Sequence, residues 1–225
     1  MLKRGVALGL FAFAIVFAWS GVAPCQDSLI PPAAYAVQGA PFTATVESVW
    51  NGAATVASGS SMSRVVHDTA GRQRFELPAI ETVASGQHSQ VLIYDVVRKQ
   101  VIKLDPQSRT ATVAPMTLGR PVTIVLSARR GFPCTASPGG ESLGVRWIEG
   151  LEACGQRVVQ TLQKNGRAVT QGRELWLSTT YLMPLMGARD DPRFGLMTQT
   201  VVGFDAAEPD ASLFEVPPGY TIVRP

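Results

Sequence analysis

His67 and His88 are the two histidines of the 225-residue sequence, and hydrolytic chemistry at neutral pH would have to start from one of them. A nucleophile, a base and an orienting group must converge for that chemistry, and neither histidine stands in a motif that supplies them. His67-Asp68 precedes Thr69-Ala70-Gly71, where the aspartate is expected to cap a chain reversal. Gly59-Ser60-Ser61-Met62 fails the G-x-S-x-G elbow at its last position, and there is no H-E-x-x-H and no glycine-rich phosphate loop after a strand. Asp190, Asp191, Asp205 and Glu208 are close enough in sequence to suggest a calcium site. They lie instead in turn sequences beside Pro192 and Pro209, and EF-hand spacing is absent. No catalytic residue, metal or cofactor is expected, which leaves an envelope hydrolase as the least favoured reading.

The remaining reactive side chains are Cys25, Cys134 and Cys154. Cys25 follows Lys3, Arg4 and an uncharged apolar run from Val6 to Val22, the pattern of an export signal over residues 1–25. A retained membrane anchor is the alternative, since the run reaches the lower limit of about 17 residues for a span. Cleavage fits near residue 25 or after Ala34-Tyr35-Ala36. Pro24 and Val22 depart from the pattern that precedes a lipidated cysteine. Export to the periplasm or beyond places Cys134 and Cys154 in an oxidising compartment, where pairing them would contribute on the order of 3 kcal/mol. Two buried thiols are the other reading, and their spacing matches no zinc motif.

Without Lys3 and Arg4, 18 of the 20 basic residues remain against 17 acidic ones, a net charge of +1. A domain this close to neutral, with Arg72/Arg74 and Arg129/Arg130 as its close basic pairs, is not a nucleic-acid binder.

What the sequence does supply is apolar surface. Trp50, Phe75, Ile93, Ile102, Val113, Val145, Trp147, Trp176, Leu177, Met183, Met186 and Met197 fit either a packed sheet core or the lining of a cavity. As lining, Trp50, Phe75, Ile93, Ile102, Val145, Trp147, Trp176, Met183, Met186 and Met197 would receive an apolar ligand. The three methionines would suit a tolerant site for acyl chains.

The elements that must position these residues read as β throughout. Gln90 to Ala114 holds three short runs, Val91–Tyr94, Val101–Leu104 and Thr110–Val113, separated by polar turns that begin near Asp95 and at Asp105-Pro106: an antiparallel meander. Residues 26–41 are proline- and alanine-rich and read as a flexible leader, so the fold is expected to start at Phe42. From there Phe42, Ala44, Val46, Ser48 and Trp50 alternate toward one face, with a hairpin turn expected at Asn51-Gly52. Arg72–Leu77 alternates wet and dry. Residues 78–89 hold a turn of helix at most, and 115–142 read as a long loop around the run Val122–Leu126. Alternation resumes at Leu143, turns at Gly150 and Asn165-Gly166, and continues through Glu174–Ser178, Leu182–Met186 and Leu196–Phe204. A short helical turn at Asp210–Phe214 and an extended piece at Tyr220–Val223 close the chain. About ten strands with turn signals every 8–12 residues indicate one antiparallel β-domain over 42–225.

Four pieces carry a resemblance: Arg64-Val65-Val66-His67-Asp68-Thr69-Ala70-Gly71-Arg72, Tyr94-Asp95 with Leu104-Asp105-Pro106, Glu174-Leu175-Trp176-Leu177-Ser178, and the closing stretch Glu208–Tyr220 with its Leu213-Phe214 and Pro218-Gly219-Tyr220. Together they resemble exported bacterial proteins of the lipoprotein-carrier-like superfamily, the LolA/LolB-like, DUF4412-type and outer-membrane lipoprotein-sorting-like groups. The resemblance implies a strongly curved antiparallel sheet, an unclosed barrel lidded by short helices and loops, whose concave apolar face receives acyl chains. It implies no catalytic residues. The function expected is therefore a non-enzymatic cell-envelope protein near the membrane, holding a lipid, an acylated protein or another apolar ligand. The alternative is an interaction or sensor module with a filled core and no ligand.

Overall fold

In a computed structural model of the chain, the residues described are 37–52, 58–77, 89–116, 124–125, 134, 140–164, 167–192 and 195–225. The strands are β1 (Val37–Gln38), β2 (Phe42–Gly52), β3 (Gly59–His67), β4 (Gln73–Leu77), β5 (Gln90–Asp95), β6 (Gln100–Asp105) and β7 (Thr110–Pro115). They continue as β8 (Ile124–Val125), β9 (Glu141–Ile148), β10 (Leu151–Lys164), β11 (Arg167–Ser178), β12 (Pro184–Asp191), β13 (Gly195–Asp205) and β14 (Thr221–Val223). Among the described residues the single helical element is a 3-10 turn at Ala211–Phe214, capped by Asp210, whose carboxylate accepts from the Ser212 N–H. No helix among the described residues is long and apolar enough to cross a membrane. The expected signal lies outside them.

Twelve strands make one curved, open sheet in the order β14-β7-β6-β5-β4-β3-β2-β13-β12-β11-β10-β9. All pairings are antiparallel except β14 on β7, and the sheet does not close, so β14 and β9 are its edges. The expected curved antiparallel sheet is therefore the one found, with twelve strands rather than about ten. The meander owes its register to two turns of one design. In the first, Asp95 Oδ1 accepts the Val97 and Arg98 N–H groups and Lys99 takes a left-handed conformation with φ 55°. In the second, Asp105 Oδ1 accepts from Gln107 and Ser108 and Arg109 has φ 49°. Each turn fixes a four-residue loop, closed by the pairs Asp95↔Gln100 and Asp105↔Thr110. Glu149 and Gly150, both with positive φ, make the tight reversal between β9 and β10.

Two expectations shift. Asn51-Gly52 is not a turn but the end of β2, because β13 pairs along it as far as Gly195↔Gly52. Ordered chain precedes Phe42: Val37–Gln38 pairs in parallel with Ile124–Val125 inside the 115–142 excursion, Gly39 N–H donates to Thr69 O at 2.9 Å, and Ala40 is buried. The loop expected at 78–89 falls almost wholly on residues that are not described.

Apolar side chains gather in two clusters. One joins Phe42, Ala44, Val46 and Val201 of the central strands to Met183 and Leu185 at the start of β12 and to Trp176 and Ala153. The other unites Val66, Ile93, Ile102, Leu104 and Ala111 beneath Phe214, with Leu213, Val216 and Tyr220 of the same closing segment packed against it.

Candidate functional site

Residues paired across an antiparallel ladder point to the same side of the sheet, so the registers assign every strand residue to one of two faces. One face carries Trp50 and the other Ile93. On the Trp50 face Trp50 opposes Met197, and on the next strands Val65 opposes Phe75 and Phe75 opposes Leu92. All five side chains are half-buried. Phe42, Ala44, Val46, Val201 and Tyr94 of the same face are buried, with Phe75 packed edge-on to Tyr94 at 5.8 Å between ring centres. Tyr181, from the connection between β11 and β12, packs against Phe204 and Phe42 at 4.8 and 5.8 Å. Burial pushes the Tyr94 phenol above its ordinary pKa, so it is a neutral group at any physiological pH.

The Ile93 face divides into two halves. Over β3 to β7 it is filled by Phe214, which is fully buried, with the Arg72 guanidinium 4.7 Å from the ring centre. Over β9 to β12, Trp176 lies across Gly155 of the neighbouring strand, so close that a Cβ there would sit 2.6 Å from the indole. Arg146 stacks on the Trp176 ring at 4.2 Å and reaches Met186 Sδ. Trp176 Nε1 donates to Glu174, which also accepts from Arg157 at 2.9 Å. The indole hydrogen bond first, and the Arg157 guanidinium after it, hold the Glu174 carboxyl below its ordinary pKa. Trp50 repeats the device on the opposite face, lying over Gly59.

The ten residues expected to line one cavity are thus not brought together. Trp50 and Met197 oppose one another on β2 and β13, and Phe75 shares their face but stands on β4, in the row of Val65 and Ala44. Val145 and Trp147 share that face but stand on edge strand β9, 53% and 70% exposed. Ile93 and Ile102 oppose one another on the other face inside a sealed core, and Trp176 and Met186 oppose one another on that face beneath Arg146. Met183, ahead of β12, is buried in the central cluster.

The residues considered for catalysis have structural partners. His67 Nδ1 donates to Ala40 O at 2.9 Å and its ring stacks on Phe42. Asp68 accepts the backbone and guanidinium N–H groups of Arg72, closing the reversal as expected. Asp205 caps Ala207 N–H, and Glu208 bonds the backbone and hydroxyl of Thr69, far from Asp190 and Asp191 in the ladder. No group of three or more His, Cys, Asp or Glu able to hold a metal occurs among the described residues. Cys134 and Cys154 are disulfide-bonded with Cα atoms 5.2 Å apart, tying residue 134 to β10.

Sequence reading missed a polar group on the Trp50 face. Gln171 and Asp191, 4% and 1% exposed, are buried at the far end of the β11–β12 ladder, beside Arg189, whose Nη2 donates to Asp191. Asp191 looks like a turn residue next to Pro192, and nothing in the local sequence signals its burial.

No protein-family model matches the sequence, and neither does any curated protein. Among solved structures, the chain is similar to a LolA superfamily protein from Nitrosomonas europaea, with 9% identity over 79% of this chain and 90% of that one and a TM-score of 0.33. It is similar to LprF from Mycobacterium bovis, with 12% identity over 76% and 90% and a TM-score of 0.34. A domain assigned to outer membrane lipoprotein sorting from Vibrio parahaemolyticus gives 10% identity over 77% and 89% and a TM-score of 0.24.

Proposed function

We propose that the protein is a non-enzymatic, exported cell-envelope protein that holds a lipid, an acylated protein or another apolar ligand against the Trp50 face of its sheet. The observation that carries this reading is the set of half-buried apolar side chains on that face: Val65, Phe75 and Leu92 in one row across β3, β4 and β5 level with Ala44, and Trp50 with Met197 further along β2 and β13. A single curved sheet must cover such a surface, and on the other face the chain does so with its own Phe214. Trp50 and Met197 offer a broad ring beside a flexible thioether, which adapts to chains of varied shape. The partners of His67 and of the carboxylates favour binding over catalysis, and the N-terminal apolar run supplies the route of export. Native mass spectrometry of the protein purified from the envelope should detect a bound lipid. Phe75→Glu should lower its occupancy at least tenfold while the protein stays folded. A ligand-free spectrum in every preparation, or occupancy untouched by that charge, overturns the proposal.

One observation favours the interaction module instead. Edge strand β9 exposes Trp147 and Val145 together, and an unpaired edge flanked by apolar side chains can accept a partner strand. On that reading Trp147→Lys abolishes a crosslinked species in envelope extracts and leaves lipid content unchanged.

A further inference from the structure

At the end of the β11–β12 ladder Arg173 opposes Arg189 and Gly172 opposes Asp190, so Gln171 and Asp191 follow one step beyond, side by side. Alternation puts Gln171, Arg189 and Asp191 on the Trp50 face. Arg189 is paired to Met197, and Met197 to Trp50, which runs the polar group directly into the apolar surface proposed above as the ligand site. Two atoms of this group are buried without a hydrogen-bond partner among the described residues: Gln171 Oε1, an acceptor, and Arg189 Nε, a donor. Buried polar atoms are almost always paired, because leaving one unmade forfeits its hydration and returns nothing. Here an unmet acceptor and an unmet donor occur together, on a side chain that is 4% exposed and on its neighbour. A valine or leucine at 171 would serve the strand better.

We infer that Gln171 and Arg189 form the headgroup end of the ligand site and take an uncharged amphiphile whose polar group both donates and accepts a hydrogen bond, such as the hydroxyls of an acylglycerol. The donor side of that headgroup meets Gln171 Oε1 and its acceptor side meets Arg189 Nε, while the acyl chain runs toward Met197 and Trp50. An uncharged headgroup follows from the ion pair already present: Asp191 accepts from Arg189 Nη2 at 3.3 Å and answers its charge, leaving hydrogen-bonding capacity rather than net charge to be met. The inference rests on the ligand-binding reading and adds to it the class of headgroup and the place where it sits.

Calorimetric titration of the lipid-stripped protein with 1-decanoylglycerol, methyl decanoate and decanoate tests it, the second probe lacking a donor and the third carrying a charge. The acylglycerol should bind about tenfold more tightly than the methyl ester, the value of one hydrogen bond made to otherwise unmet groups. Gln171→Leu should remove that tenfold preference, leave methyl decanoate binding unchanged, and raise the melting temperature of the ligand-free protein. Gln171→Met, of similar length, gives the same readout if the leucine variant does not fold. Equal affinity for the acylglycerol and the ester, a preference for decanoate, or an acylglycerol affinity unmoved by the substitution overturns the inference while leaving a ligand-binding protein. Failure of all three probes to bind removes both readings.

Discussion

Phe214→Ala separates the two faces of the sheet experimentally. Phe214 is fully buried and is the side chain through which the closing segment seals Val66, Ile93, Ile102, Leu104 and Ala111. Truncating such a residue to alanine costs about 3–5 kcal/mol, combining lost transfer energy with the cavity left behind. The Arg72 guanidinium 4.7 Å above the ring adds ~0.5–1 kcal/mol, since it loses the ring while keeping its bond to Asp68. For a domain of this size each kcal/mol moves the melting temperature by about 2–4 °C, so a fall of roughly 7–24 °C is expected in thermal unfolding followed by circular dichroism. Occupancy of the proposed ligand site, measured well below the new midpoint, should not change, because the cavity left by the truncation opens on the face away from Trp50. The milder Phe214→Leu keeps the protein folded if alanine does not, and it too must bind ligand normally. A loss below about 1 kcal/mol would mean that Phe214 does not close the core. Loss of ligand from a folded variant would place the ligand on the Ile93 face and refute the assignment of faces.

Three further outcomes follow from the same structure. Gly155→Ala should destabilise by about 1–3 kcal/mol in urea unfolding, because its Cβ would lie 2.6 Å from the Trp176 ring, and in a Trp176→Leu background most of that cost should vanish. Cys154→Ser should cost on the order of 3 kcal/mol, and a reductant should reproduce the loss in the parent protein without further effect on the variant. The carboxyls of Glu174, Asp210 and Glu215 are all held below their ordinary pKa, chiefly by the Trp176 indole, the Ser212 backbone N–H and the Arg98 guanidinium respectively. Groups depressed in the folded state stabilise it fully above their unfolded pKa, near 4.3 for glutamate and 3.9 for aspartate, and lose that contribution as pH falls through the lower folded values. Melting temperature should therefore be flat above about pH 5 and fall below it. Because Asp210 and Glu215 belong to the closing segment, hydrogen exchange in β5 and β6 should rise first.

The meander was legible because each of its signals is local. Asp95 and Asp105 supply their turn bonds within three residues, and the β-branched runs between them have little else to become. The closing helical turn and last strand were legible for the same reason, one carboxylate capping one short helix. The long hairpin of β10 and β11, 14 and 12 residues, was visible only in fragments, since Gln160, Gln163, Thr170 and Arg173 carry no strong strand preference and are held by each other's register. β1 was invisible because its partner lies some 87 positions away, at Ile124–Val125, and no composition signal links a proline-rich leader to a distant loop.

The expected lining residues are divided between the two faces for a different reason. Apolar type is a property of a residue, whereas facing is a property of the whole register, and three irregularities interrupt the alternation: between Gly155 and Gln156, between Trp176 and Leu177, and between Val201 and Gly203. Val201 and Phe204 are an odd number apart yet share the Trp50 face, because the bulge between them reverses the parity. The lining residues are chosen by apolar type with no face assigned to them, so one list holds residues of both faces. Separated, Ile93 and Ile102 belong to a core that the chain closes with its own C-terminal segment. Trp50 and Met197 adjoin Gln171 Oε1 and Arg189 Nε, buried atoms without a hydrogen-bond partner among the described residues. The closing segment completes the Ile93 face from within the chain, and the ligand proposed above would complete the Trp50 face beside Gln171 and Arg189.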